Sequence, residues 1–389
     1  MTIGPSTGLF AALTLLLVLV NRVFHPAPAV RSLAFLAATV ALFGIGFPSA
    51  AVVLFPLCAI GYPAIWLVGR SQTALGLGLL TAAATAAFVA LMHPTGIGAV
   101  DRVLPLVGLP YVYLRVLSLG SEVRDGRTTL PGVLEYFTYI LPFHQVVAGP
   151  IETFSAFREN LVRPPGPLDV AGVLTAVNRI ANGLIKKLVV CELLVDLFGF
   201  EFTGSGGALA LEIAANAIFF YLDFSGYMDL VIGAGQLIGW APPENFDWPF
   251  SSRNIVEFWT RWHITLGAFI RDFLFNPLNL VLQRGPLRGR PFAAGLVCYV
   301  AAMVFCGFWH HPSVRFVEWG LYHAGGIVVF KYYELGLKRL LGVKRAQAWR
   351  ERGPVRVAAT GLTFAFVAVS FLFVKRSPAE ILSILARLA

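Results

Sequence analysis

An all-α polytopic membrane protein is the fold class this sequence predicts, and three observations point to it. Of its 389 residues 57% are hydrophobic and 13% charged, with a mean hydropathy of +0.74, far from the balance of a soluble domain. Apolar runs near the roughly 20 residues that a bilayer core requires begin around residues 7, 32, 50, 73, 103, 130, 172, 207, 227, 292, 314 and 355. These runs show too little alternation for a lipid-facing barrel, so the spans are helices. About 10–11 true crossings are expected, the remaining segments being re-entrant or interfacial.

The formal charge of +9 is spread along short loops. No soluble module of even ~40 residues is present to carry a nucleic-acid-binding face, so the partner implied is the lipid bilayer. Seven Lys and Arg against the single Glu351 between Lys338 and Arg356 mark a cytoplasmic loop, and Arg284, Arg288 and Arg290 mark another. Arg22 follows the first apolar run, which reads as a retained helix with its N-terminus outside. Cys58, Cys191, Cys298 and Cys306 sit in or beside apolar segments without CxxC spacing, so neither a disulfide framework nor a zinc site is expected. The chain reads as one integral membrane domain over 1–389: helical scaffold over 1–100, a chemistry-bearing core over 101–335, and a basic cytoplasmic loop with the last helix over 336–389.

Polarity rises after residue 100. Glu122, Arg124, Asp125 and Arg127 before Pro131 read as a loop between helices. An apolar run then ends in His144, Gln145, Gly149 and Pro150, which implies a helix broken at membrane depth. His144 reads either as a satisfied bundle histidine or as a functional group. Residues 164–167, PPGP, form a stiff break. Lys186 and Lys187 follow in an apolar pattern, where paired lysines most often snorkel to the interface. Asp223, Ser225 and Asp229 interrupt the next apolar stretch. Such carboxylates bind a cation in a transporter, orient a histidine or arginine in an enzyme, or pin helices together. Gly226, Gly233 and Gly235 imply close helix packing there.

The polar stretch from Glu244 to Asn276 is where function is sought first. Phe258, Trp262, Leu266, Phe269 and Phe273 recur at helical spacing, Glu257 and Arg261 stand one turn apart as an ion pair, and His263 lies beside the stripe. The plainer reading is an amphipathic interfacial helix with a solvated histidine. Further on, Pro312 ends a helix close to His310, about 27 Å along from its start. Cys306 is one turn before His310, a spacing that permits a Cys-His nucleophile pair, although a packed cysteine is the commoner case.

In this region the chain resembles the membrane-bound O-acyltransferase (MBOAT) family, in the bacterial branch of alginate O-acetylases and teichoic acid D-alanyl transferases. YLDFSGYMDLVIG, PENFDWPF, SRNIVEFWTRWHITL with RDFLF, and GFWH followed by EWGLYH occur in family order, preceded by VVAGPI and GLIKKLVV. The resemblance covers most of residues 135–330 and implies an MBOAT-like bundle. It also implies an essential histidine in a WHG-like motif, here His310, and a second polar active-site residue in an RWHISL-like sequence, here His263. The family glycine after that histidine is His311, the usual proline before Gln145 is His144, and Arg315 and Glu318 stand where the family is apolar. His311, Asp223, Arg261, Cys306 and His144 are the supporting candidates.

The implied chemistry is transfer of an acyl group, acetyl above others, from a cytoplasmic thioester to hydroxyls of an extracytoplasmic polysaccharide or cell-wall polymer. The setting implied is the bacterial inner membrane. The donor is acetyl-CoA or an acyl carrier protein, no cofactor is tightly bound, and a separate extracytoplasmic acyltransferase or esterase-like partner protein delivers the group. His310 is the expected base and His263 the group that polarises the thioester carbonyl. Direct transfer ranks above an acyl intermediate on Cys306. D-alanyl transfer to teichoic acid and a proton-coupled lipid or sugar transporter using Asp223, Asp229 and the histidines are the alternatives.

Overall fold

The computed structural model describes residues 5–24, 26–93, 108–145, 147–163, 166 and 169–388. Among them the only β pairing is one antiparallel bridge between Phe246 and Trp262, and the rest is helix and connection. In chain order the helices are α1 (Pro5–Val23), α2 (Pro28–Ala41), α3 (Pro48–Ser71), α4 (Ala74–Met92), α5 (Leu109–Arg124), α6 (Val133–Ile140), α7 (Phe154–Val162), α8 (Val170–Ile185) and α9 (Cys191–Phe198). They continue with α10 (Gly206–Ile238), α11 (Ile255–Arg261), α12 (Ile264–Ile270), α13 (Asn276–Arg284), α14 (Pro291–His310), α15 (Val314–Leu341), α16 (Val343–Arg350), α17 (Gly353–Ser370) and α18 (Pro378–Ala386).

Among the described residues six helices are long and apolar enough to cross a membrane: Pro28–Gly46, Pro48–Ser71, Ala74–Met92, Gly206–Ile238, Pro291–His310 and Gly353–Val374. That is fewer than the crossings expected from hydropathy. The runs near 207 and 227 form one 33-residue helix, the run near 130 stops after the eight residues of α6, and the 28-residue α15 carries Arg315, Glu318, Lys331 and Glu334. The start of the run near 103, and Pro164, Pro165 and Pro167 of the expected break, lie outside the described residues.

Contacts divide the chain into two compact units, Met1–Asn182 with Met228–Pro243, and Gly183–Tyr227 with Glu244–Ala389. In the first, the short helix α7 is held at both ends. Glu122 accepts from the backbone N–H groups of Phe154 and Ser155 at 3.1 and 3.2 Å and from the Ser155 hydroxyl at 2.7 Å. Buried Arg31 donates at 2.7 Å to the carbonyls of both Leu161 and Arg163 at the other end. An anion at the N-terminus and a cation at the C-terminus match the helix dipole and satisfy end groups that have no partner within the helix. Glu122 was expected in a loop. It lies within α5 instead, and the turn begins at Asp125, which pairs with Arg124 and Arg127.

In the second unit α14 and α15 pack backbone to backbone. A methyl group on Gly307 would meet the carbonyl oxygen of Phe316 at 2.0 Å, and one on Gly320 would meet that of Met303 at 2.4 Å. Small residues at a helix crossing permit this approach, and here it sets the depth at which the end of α14 is held. The expected close packing at Gly233 is present within the first unit, against Ala176 and Ile180, and that at Gly226 within this second unit, against Gly183 and Lys186. Elsewhere in this unit a Ser377–Glu380 capping box starts α18, and the Ser377 backbone N–H and hydroxyl hold the Glu380 carboxyl below its usual range.

Gly320→Ala places a β-carbon inside the Met303 carbonyl contact, so loss of about 1–3 kcal/mol is expected. Gly325→Ala on the same helix meets nothing within 4 Å and is the neutral control. Thermal unfolding of the two variants in one detergent checks this.

Candidate active site

The polar stretch from Glu244 to Asn276 does not form one helix. Its apolar stripe is buried as expected at Phe258, Trp262, Leu266 and Phe269, with Phe273 stacked on Phe269. The helix is interrupted at His263, however, which adopts φ 48° and ψ 52° between α11 and α12. A left-handed conformation at a non-glycine residue costs on the order of 1 kcal/mol and persists only where its surroundings impose it. The segment around Asn245 imposes it here. Phe246 pairs with Trp262, Asp247 N–H donates to the Arg261 carbonyl, and Ile264 N–H donates to the Asn245 carbonyl, each of the last two at 3.0 Å. The break turns His263 inward, where it is 2% exposed. An uninterrupted interfacial helix would have left it solvated.

Asn245, itself 1% exposed, also caps α12 from a distance in sequence. Its Oδ1 accepts from Thr265 N–H at 3.1 Å and the Thr265 hydroxyl at 2.9 Å, and lies 3.2 Å from His263 Nδ1. The other ring nitrogen, Nε2, is buried with no hydrogen-bond partner among the described residues. The His263 ring stands edge-on to Phe224 and Trp309, with centroids at 5.0 and 5.9 Å.

His310, half-buried at the end of α14, lies against the other side of this aromatic cluster. Its ring centroid is 4.9 Å from Trp309 and 5.4 Å from Trp319. A charge on His310 is felt at His263 and at His323. His311 turns out of the helix with an extended backbone and packs on Phe316. Within the same unit His323 is 1% exposed and wedged between Trp259 and Trp319, at 5.0 and 4.6 Å, with both nitrogens unbonded among the described residues. Sequence reasoning did not single out His323. Its available signal was the position one turn after Trp319, an ionisable side chain inside an otherwise apolar helical stretch.

Beside these rings is a cavity of about 350 Å³, walled by His263, Trp259, Arg271, Tyr299, Met303 and Cys306 among others. Its size falls in the range of small-molecule sites, about 300–1,000 Å³. Cys306 is 1% exposed and forms no disulfide.

The remaining candidates are engaged elsewhere. Arg261 forms the expected ion pair with Glu257 at 3.0 Å and reaches Asp247 at 3.9 Å. Asp223 pairs with Lys187, which also donates to the Asp223 carbonyl. Asp229 pairs with Arg179 at 3.2 Å. In the first unit His144 follows the expected break, after α6 ends at Ile140, and is buried between Phe35 and Trp240 at 6.0 and 5.4 Å. Nearby, buried Glu152 accepts from Gln145 at 2.9 Å, Asn160 at 3.1 Å and Trp240 at 3.2 Å.

A multi-span helical chain with ionisable rings beside a cavity of small-molecule size fits the class of membrane-embedded enzymes. Residues 113–340, more than half of the chain and including each of these histidines, match the family model of MBOAT, the membrane-bound O-acyltransferase family. The chain belongs to that family and is an O-acyltransferase. It is 28% identical over 294 residues to the teichoic acid D-alanyltransferase of Streptococcus thermophilus, covering 72% of this chain and 70% of that one. It is 29% identical over 237 residues to the protein named probable alginate O-acetylase AlgI of Azotobacter vinelandii, covering 59% and 45%. Against the peptidoglycan O-acetyltransferase of Helicobacter pylori the identity is 27% over 261 residues, covering 65% and 46%.

Because Asp223 is held by Lys187, Asp223→Asn is expected to leave the turnover of folded protein within about threefold while costing about 1 kcal/mol or less, its side chain being 46% exposed. The double variant Lys187→Met/Asp223→Leu should recover that stability. Acyl-transfer rate and unfolding temperature measured on the same samples test both statements.

Proposed function

We propose that this O-acyltransferase moves an acetyl group from a cytoplasmic thioester, acetyl-CoA or an acylated carrier protein, to hydroxyls of an extracytoplasmic polysaccharide or cell-wall polymer across a bacterial inner membrane. The observation that carries the reading is the pairing of His263 and His310 around Trp309, with His263 in the wall of the cavity. Attack of a hydroxyl on a thioester requires a proton acceptor for the hydroxyl and a hydrogen-bond donor for the carbonyl oxygen. Two imidazoles divide those tasks without a metal or a nucleophilic side chain.

Transfer is direct. A thiolate at Cys306 would need a base to activate it, and at 1% exposure that thiol has no water to stabilise the charge. The family match over residues 113–340 favours the enzyme over the proton-coupled transporter, and the ion pairs on Asp223 and Asp229 give those carboxylates a structural role. Final delivery to the polymer is assigned to a separate extracytoplasmic partner protein. D-alanyl transfer is the second reading, favoured by the longer coverage of the D-alanyltransferase relative, 70% of its length against 45% for the alginate O-acetylase.

Acyl transfer from a radiolabelled thioester, in membranes with equal protein levels, separates these readings. His310→Ala and His263→Ala should each lower the rate by about 10²–10⁴, whereas His311→Ala and Cys306→Ala should stay within about tenfold of wild type. Acetyl and D-alanyl donors compared side by side decide the acyl group. Full activity in His310→Ala would overturn the proposal.

A further inference from the structure

Which nitrogen of His263 bears the proton follows from its neighbours. The backbone N–H of Thr265 is a donor, so the Asn245 atom it meets at 3.1 Å is the amide oxygen. His263 Nδ1 lies 3.2 Å from that same oxygen. Two acceptors do not bond to one another, so Nδ1 carries the hydrogen and the neutral ring presents a lone pair at Nε2. That nitrogen is buried, has no partner among the described residues, and belongs to a side chain in the cavity wall.

Building on the acyl-transfer reading, we propose that Asn245 is a positioning residue that holds His263 as a proton acceptor at Nε2, so that His263 takes the proton of the incoming hydroxyl. In its neutral form this tautomer has no N–H at Nε2 to offer the thioester carbonyl, which reverses the division of roles expected from the sequence. The donor to the carbonyl oxygen is then assigned to His310, whose ring packs on Trp309 beside His263.

The step balances as follows. The hydroxyl oxygen bonds to the thioester carbon while its proton passes to Nε2. The C–S bond then breaks with its electron pair on sulfur, and the proton on Nε2 goes to the departing thiolate, leaving ester and thiol. The Nδ1–H bond to Asn245 persists throughout and stabilises the transient imidazolium, and a neutral amide does this without burying a second charge.

The test is the tautomer itself, read by nitrogen NMR on the full chain in nanodiscs, labelled with ¹⁵N-histidine, with the His263 signals assigned by their loss in His263→Gln. A protonated Nδ1 and an unprotonated Nε2 are expected in wild type and in Asn245→Asp, whose carboxylate also accepts. A changed tautomer is expected in Asn245→Leu. A protonated Nε2 in wild type, or an unchanged tautomer in Asn245→Leu, overturns the proposal. Kinetically, Asn245→Leu should lower kcat by about 10²-fold with KM within about threefold, and Asn245→Asp should restore most of it. If wild type has the expected tautomer but transfers no acyl group from any thioester supplied, the acyl-transfer reading fails and the assignment of the His263 proton stands.

Discussion

A charged or hydrogen-bonding group inside hydrocarbon has no water to turn to, and the ionisable side chains that pair across this protein's helices answer to that constraint. Arg31 closes the carbonyl end of α7 and Glu122 closes its amide end. Lys187 and Asp223 meet, as do Arg179 and Asp229. Glu152 collects donors from Gln145, Asn160 and Trp240. Because these groups bond within the chain, they hold helices in register.

Against that background the histidines differ. Nε2 of His263 and both ring nitrogens of His323 are buried without partners among the described residues. A neutral imidazole tolerates such a setting far better than a carboxylate or an ammonium, because it carries no charge and its desolvation penalty is that of one or two polar atoms. It also keeps a lone pair or an N–H ready for a substrate group. The aromatic shell of Trp259, Trp309 and Trp319 fits the same purpose, since flat, stiff rings fix imidazole orientation by packing without consuming its hydrogen bonds.

The left-handed backbone at His263 belongs to this arrangement as well. A continuous helix through residues 255–275 would carry its side chains around the axis at a fixed 100° step, with no freedom to turn one of them against its neighbours. The break at His263 re-aims that residue alone while the stripe before and after it stays buried. Strain concentrated at one residue and held by the pairing of Asn245 and Phe246 with Ile264 and Trp262 is the cost of that orientation. The same asparagine provides backbone pairing, helix capping and the partner of the imidazole, so a single side chain links the fold of the loop to the protonation state of the site.

Local pattern determined a good deal on its own. Hydropathy fixed the helical membrane class, the ordered motifs led to the family, and the two histidines drawn from those motifs do lie around one tryptophan. The Glu257–Arg261 pair and the break after Ile140 were also legible, because each depends on residues a few positions apart. The tertiary structure alone decided the rest. The stripe from Phe258 to Phe273 has the spacing of an unbroken helix, and neither glycine nor proline marks the interruption at His263. Its cause is Asn245, 18 residues away. The partners of Asp223 and Asp229 are 36 and 50 residues distant, and His323 reaches Trp259 from another helix altogether. Periodicity reports which face of a segment avoids water; it holds no record of which distant group will meet that face, and in this protein the proton on His263 depends on such a meeting.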